Sequence, residues 1–165
     1  MSVGDIFTFT LELANEKCPG VLNYFAEPAT SDEINDLKSN ASFVIPEELI
    51  EILRIANGQY DVIGGPFWIY RMLSGRDILE RKSLYSYYFA NNEVPIFEEG
   101  NGGFVTLMED GSIRVTDYMG TILGISKSLS SFFKSYANLL EVFPVIKKES
   151  SGITYFDFSA PIDIS

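Results

Sequence analysis

Histidine is absent from this sequence of 165 residues, and cysteine occurs once, as Cys18. Without histidine the chain cannot form a Ser-His-Asp or Cys-His catalytic system, a histidine zinc site or an imidazole acid–base pair. A single cysteine can form neither an internal disulfide nor a cysteine-based zinc site, and it is compatible with a reducing cytosol. We therefore expect a cytoplasmic protein with no metal site and no cofactor.

Basic residues are also scarce, because 12 Lys and Arg stand against 23 Asp and Glu, for a net charge of −11. Such a surface repels nucleic-acid phosphates and anionic lipids, so we expect neither nucleic acid nor membrane as a partner. It attracts a basic protein, although acidity can also serve solubility alone. The apolar runs are too short to span a membrane, and Asp5 and Glu12 interrupt any signal-peptide pattern.

The glycine-rich run at residues 100–103 lacks the signatures of nucleotide binding. Val105 stands where the third glycine of a dinucleotide-binding motif belongs, and the lysine of a P-loop is missing. A tight turn between strands is the better interpretation. Chemistry by two carboxylates remains open, because acidic residues are plentiful and no sequence signature defines their spacing.

The best-marked helix begins at Pro46, in the first helical position, and ends where Gly58 adopts a left-handed conformation. Glu47 and Glu48 suit its N-terminus. Capping boxes predict two more helices, one from Thr30 and one from Ser74 to about residue 88. The second should turn Ile78, Leu79 and Leu84 inward. A last helix starts near residues 126–128 and stops at Pro144.

Strand patterns occupy the rest of the chain. Residues 67–73 have apolar side chains on both faces, so we expect an interior strand, whereas Pro95 places residues 94–97 near an edge. Asp110-Gly111 predicts a two-residue hairpin turn between residues 104–108 and 113–118, followed by a short strand at 121–124. Alternation also predicts terminal strands at residues 5–13 and 152–158, which we expect to pair with each other.

The order of these motifs resembles the SUKH superfamily, which contains the fungal Smi/Knr cell-wall-assembly regulator and many bacterial immunity proteins. The resemblance lies in the acidic helix followed by Ile45-Pro46, the Asn57-Gly58 end, the aromatic strand, the run at 93–103 and the helix at 125–133. It covers about residues 30–143. The positions that carry the structural pattern are Pro46, Asn57, Gly58, Trp68, Gly102 and Gly111.

The chain is therefore expected to be one α+β domain over residues 1–165, with N-terminal helices, a mostly antiparallel sheet and a C-terminal helix packed against it. The resemblance implies an immunity protein that binds and neutralises a cognate bacterial toxin, and the acidity suits a basic, nuclease-like one. A regulatory or scaffold protein like the fungal relative is the alternative. A small carboxylate-based enzyme is a second alternative.

Acidic residues on loops and strand edges, with one aromatic anchor, are the expected contacts with such a partner. No catalytic residue is expected. The cluster of Tyr85, Tyr87, Tyr88 and Phe89 is interpreted as core or rim packing, with a contact patch as the alternative. The candidate partner-binding residues are Tyr60, Asp61, Glu98, Glu99, Glu109, Asp110 and Asp117.

Overall fold

The computed structural model describes residues 1–60, 66–67 and 70–142, and the backbone of two short strands beyond them. A 3-10 turn at Val21–Tyr24 follows the first of five α-helices within that part of the chain. The helices are α1 (Val3–Lys17), α2 (Ser31–Asn40), α3 (Glu47–Leu53), α4 (Gly75–Leu84) and α5 (Leu129–Val142).

Five strands form one antiparallel sheet, and its order in space is the order in the chain. They are β1 (Tyr70–Met72), β2 (Val94–Glu99), β3 (Phe104–Leu107), β4 (Ile113–Thr116) and β5 (Ile122–Ser126). Strands β6 (Ile146–Lys148) and β7 (Thr154–Phe156) pair with each other. The expected α+β class, with a mostly antiparallel sheet, is confirmed.

One face of the sheet carries the main core, covered by α5 with α1 behind it. Phe97 on β2 lies 5.8 Å from Phe132 of α5, and Phe133 lies 4.8 Å from Phe7 of α1, measured between ring centroids. Phe67 lies 4.9 Å from Phe97. These ring contacts join the two helices to the sheet. Fully burying one such ring contributes roughly 1.5–3 kcal/mol to the stability of the fold.

The opposite face packs against α4 and the turn that follows it. Phe104 on β3 is ringed by Tyr85, Tyr88 and Phe89 at centroid distances of 5.5, 5.8 and 5.0 Å. The Tyr88 hydroxyl donates a hydrogen bond to Thr116 Oγ1 at 2.8 Å. Packing therefore accounts for these three aromatics, whereas Tyr87 is 84% exposed.

The prediction of a strand at residues 5–13 is wrong, because this segment lies in helix α1. The helix begins with a capping box, in which Ser2 N–H donates to Asp5 at 2.8 Å and Asp5 N–H donates to Ser2 Oγ at 3.1 Å. The buried positions recur at steps of three and four residues, whereas Phe9, an apolar residue of the alternating pattern, is 51% exposed. Buried residues of α1 are Val3, Gly4, Ile6, Phe7, Thr10, Leu11 and Ala14.

The expected pairing of the two terminal segments is wrong for the same reason. The N-terminal segment is helical, so it offers no strand edge. Within residues 152–158, Thr154–Phe156 forms β7, and its partner is β6.

Two predicted strand positions in the sheet are reversed. The strand predicted at residues 67–73 is β1, shorter than expected and at the edge, where Gln59 N–H donates to the Met72 carbonyl at 2.9 Å. The Trp68 position lies outside the described residues. Strand β2 is internal, because it pairs with β1 on one side and β3 on the other. A register shift next to Pro95 accommodates this residue, which has no backbone N–H to donate.

The central helix is shorter than predicted, and Pro46 is its N-cap rather than its first helical residue. The helix ends at Leu53, so Gly58 is not the residue that closes it. Gly58 does have the expected positive φ, of 88°. An ideal Cβ there would lie 2.6 Å from Ser74 N, so the glycine allows the loop to approach the start of α4.

The hairpin around Asp110-Gly111 is confirmed, but its loop has three residues rather than two. Met108 N–H donates to the Ser112 carbonyl at 2.8 Å, and Gly111 N–H donates to the Met108 carbonyl at 2.9 Å. Gly111 has a φ of 82°, typical of a turn that ends in a bulge.

Helix α4 ends at Leu84, earlier than the predicted end near residue 88. The Leu84 side chain was expected to point inward, but it is 60% exposed.

Candidate protein-binding surface

The candidate contact residues are divided between opposite ends of the sheet. The turn between β2 and β3 and the turn between β4 and β5 lie at one end, and they bring Glu99 and Asp117 together. The turn between β3 and β4 lies at the other end and carries Glu109 and Asp110. The four residues therefore do not form one cluster.

At the first end, the two turns are in direct contact through Gly103. An ideal Cβ at Gly103 would lie 2.7 Å from Glu99 Oε2, 2.6 Å from the Thr116 carbonyl and 3.5 Å from Asp117 Cα. Gly102 closes the first turn, with a φ of 98° and an N–H that donates to the Glu99 carbonyl at 2.9 Å. The expected tight turn at residues 100–103 is confirmed, and it brings Glu99 and Asp117 to the same end of the sheet.

Asp117 also holds its own turn. Its Oδ1 accepts hydrogen bonds from Met119 N–H at 2.9 Å and from Thr121 N–H at 2.8 Å. These bonds hold the exposed side chains of Tyr118 and Met119, which are 67% and 73% exposed, at the tip. Burial raises the pKa of Tyr70, and the negative charges of Glu99 and Asp117 raise it further. Both carboxylates therefore lie close enough to Tyr70 on β1 to interact with it electrostatically.

Strand β5 continues this surface along one edge of the five-stranded sheet. Ile122, Leu123 and Ile125 are 53%, 62% and 71% exposed. Among the described strands, only β4 pairs with β5 in the five-stranded sheet. Exposed apolar residues on an unpaired edge are typical of a site for another chain. We call Glu99, Asp117, Tyr118, Met119 and strand β5 the turn-and-edge surface.

Glu98 is engaged inside the fold and does not belong to this surface. Its carboxylate accepts hydrogen bonds from Arg81 Nε at 2.5 Å and Nη2 at 3.0 Å, and it also pairs with Arg71. Burial alone would raise the pKa of Glu98, but the hydrogen bonds and charges of the two arginines leave it below its ordinary value. Its expected role as a partner contact therefore conflicts with its geometry.

A family model described as the SMI1/KNR4 family (SUKH-1) matches residues 28–135, which is more than half of the chain. The chain belongs to this family. No curated protein sequence matches it. The matched region of this SUKH protein contains α2, α3, α4 and the whole five-stranded sheet, so the turn-and-edge surface lies within it. The expected family resemblance is confirmed.

The remaining candidates of the SUKH protein lie apart from this surface or outside the described residues. Tyr60 is 55% exposed, and its N–H donates to the Tyr24 carbonyl beside the β1 edge. Asp61 lies outside the described residues. Glu109 is exposed, and Asp110 uses Oδ1 to accept hydrogen bonds from Ser112, which lower the pKa of Asp110. Asp110 therefore has a structural role in its hairpin.

The described part of the SUKH protein contains no group of three or more His, Cys, Asp or Glu residues that could hold a metal ion. A groove of about 460 Å³ between α2 and α4 carries Asp32, Glu33 and Asp36 on its rim. These three side chains come from one helix, where Glu33 caps the N-terminus and Asp36 accepts from Asn40. They therefore do not form the convergent pair that carboxylate catalysis requires.

Across the described ranges, none of the helices combines the length and apolar character needed to cross a bilayer.

Proposed function

We propose that this SUKH protein is an immunity-type binding module that neutralises a cognate protein toxin by direct contact and catalyses no reaction. The observation that carries the proposal is the turn-and-edge surface, where Glu99 and Asp117 border exposed apolar side chains. This combination suits a basic protein partner better than a small molecule, because the surface is open and its charge lies at the rim. Family membership supports the same class of function.

The charge of the chain supports a basic toxin domain, such as a nuclease. A net charge of −11 attracts a cationic protein over a distance of about 10 Å at moderate salt. Glu99 and Asp117 add a local attraction at the point of contact. Such steering raises the association rate toward roughly 10⁸ M⁻¹s⁻¹ at low salt.

The apolar part of the surface supplies affinity after the encounter. Ile122, Leu123 and Ile125 are more than half exposed, and burying a side chain of this size contributes roughly 1.5–3 kcal/mol. Tyr118 stands at the tip of the turn, where an aromatic side chain is a suitable anchor. In this proposal Tyr118 takes the role that the sequence suggested for Tyr60.

A regulatory or scaffold role, as in the fungal relative, is the alternative that the family match also supports. It would use the same surface for a partner that is not toxic. We place the encounter in the cytoplasm, because the single Cys18 is buried and unpaired.

The experiment uses the full chain as bait in an extract of its source cells, followed by a toxicity assay on each recovered protein. The proposal expects a basic domain that stops growth when expressed alone and no longer does so when co-expressed with this chain. The complex should elute as one species on a sizing column. Recovery of non-toxic partners alone would support the regulatory alternative. Growth arrest that co-expression leaves unchanged would contradict the proposal.

A further inference from the structure

A groove runs along the β5 edge of the sheet, between strand β5 and helix α5. Its volume is about 320 Å³. Phe132 and Tyr136 of α5 line it, together with Val115 and Tyr70 of the sheet and Gly124 of β5. An ideal Cβ at Gly124 would meet nothing within 4 Å, so space is open where this side chain is missing. The groove can accept an aliphatic side chain from outside.

The edge next to the groove has the features of a strand that accepts another strand. Ile125 is 71% exposed, and residues 118–126 contain no charged side chain. Edge strands of soluble proteins usually carry charges or prolines that prevent pairing, and β5 has neither. A segment paired with β5 would direct every second side chain over the groove, because side chains alternate along a strand.

Two acidic residues, Glu99 and Asp117, lie near Tyr70 of the groove. Tyr70, which lines the groove, is the direct cross-strand partner of Glu99. Asp117 lies next to Glu99 across Gly103, where an ideal Cβ would be 2.7 Å from Glu99 Oε2 and 3.5 Å from Asp117 Cα. An entering segment therefore meets two carboxylates near Tyr70 and apolar side chains along its length. This arrangement favours a segment that combines basic and aliphatic residues.

We infer that β5 binds an extended segment of a protein partner by strand addition, with alternate aliphatic side chains in the β5–α5 groove and a basic residue near Glu99 and Asp117. This inference rests on the proposed function and specifies how the partner binds. A second copy of this chain is a poorer occupant, because each copy carries a net charge of −11. Main-chain hydrogen bonds supply affinity in such complexes, and the groove supplies specificity.

The test is an NMR titration of the full chain with two synthetic peptides. One has the sequence Lys-Lys-Val-Thr-Val-Thr-Val, and the other replaces both lysines by glutamates. We expect the lysine peptide to cause saturable shifts in residues 122–126 and to slow amide exchange in β5. The glutamate peptide should bind at least tenfold more weakly, and the difference should shrink as salt is added.

Two variants and a matched control assign the binding to the groove. Gly124→Leu adds a side chain where an ideal Cβ would meet nothing within 4 Å, and Ile125→Lys places a charge on the edge. Each should weaken binding of the lysine peptide at least tenfold. Val44→Lys introduces the same charge at a 79% exposed position before α3, and it should leave binding unchanged. Circular dichroism melting of each variant verifies that it is folded.

Several results would overturn the inference. These are the absence of saturable shifts in β5, equal affinity for both peptides, and unchanged binding by Gly124→Leu. A dimer in the free protein that Ile125→Lys dissociates would assign the edge to a second copy. Contacts between β5 and residues 143–165 in the free chain would assign it to the chain's own C-terminal segment. If Gly124→Leu neutralises a toxin as well as the unmodified chain does, the groove inference fails while the proposed function stands.

Discussion

The guanidinium of Arg81 makes two hydrogen bonds to the carboxylate of Glu98, with Nε–Oε2 at 2.5 Å and Nη2–Oε1 at 3.0 Å. Arg71 pairs with the same carboxylate and also with Asp77, at 3.2 Å, in the first turn of α4. Because Arg71 is on β1 and Glu98 is on β2, this cluster joins α4 to two strands. The side chains of Glu98 and both arginines are only 17–20% exposed, so water screens the pairs incompletely.

Glu98→Ala should lower the free energy of unfolding by about 2–3 kcal/mol, because it removes the carboxylate that two largely buried guanidinium groups share. Urea denaturation of both proteins measures the difference. Glu109→Ala is the control, because Glu109 is exposed and should change stability by less than about 0.5 kcal/mol. Equal effects of the two substitutions would contradict the structural role of Glu98.

Acidification should weaken the fold through the same residue. The pKa of Glu98 is lower in the folded protein than its ordinary value, because Arg81 and Arg71 stabilise the carboxylate. Its contribution to stability is therefore present above that ordinary value and is lost as pH falls toward the folded-state pKa. Urea midpoints should fall less steeply with acidification in Glu98→Gln than in the unmodified protein. Parallel pH profiles for the two proteins would exclude this assignment.

Gly58 and Gly111 separate backbone strain from steric clash. Both have positive φ, of 88° and 82°, but a Cβ at Gly58 would lie 2.6 Å from Ser74 N, whereas one at Gly111 would meet nothing within 4 Å. Gly111→Ala should therefore destabilise by about 1 kcal/mol and Gly58→Ala by about 2 kcal/mol or more. Thermal and urea unfolding of the pair provide the comparison. A larger effect at Gly111 would show that the close approach at Gly58 is not limiting.

Neutralising the two carboxylates at the turn end should slow association with a basic toxin domain. Glu99→Gln with Asp117→Asn removes two charges and keeps the Asp117 oxygen that accepts from Met119 and Thr121. The association rate should fall several-fold at low salt and converge with the unmodified value at high salt. Glu12→Gln with Glu16→Gln on α1 changes the net charge equally and is the control. Identical rates for both double variants would show that only the net charge matters.

The sequence predicted best what neighbouring residues determine. Each of three such motifs depends on only a few consecutive residues, and the structure contains all three. They are the capping boxes at Thr30 and Ser74 and the hairpin at Gly111. Helix α1 was misassigned because its apolar residues fit two periods, and because Thr10 resembles a solvent-facing residue. In the structure Thr10 is buried and donates to the Ile6 carbonyl at 2.7 Å.

Long-range partners could not be predicted in the same way. Glu98 resembles an exposed acid until the fold brings Arg71 and Arg81, which are 27 and 17 residues away, to its carboxylate. Exposure of β5 was equally hidden, because an apolar strand of the same composition could lie inside a sheet. The absence of charge in residues 118–126 was the one signal of an apolar surface, and strand order then showed that it lies at an edge.

The most direct test of the central claim is the stoichiometry of neutralisation. A purified toxin domain is titrated with this protein, and the residual toxin activity is measured at toxin concentrations well above the dissociation constant. Neutralisation by binding predicts a linear decrease that reaches zero at one equivalent, with intact toxin recovered after denaturation. Complete inactivation by a small fraction of an equivalent, or full activity in the presence of excess protein, would contradict the account.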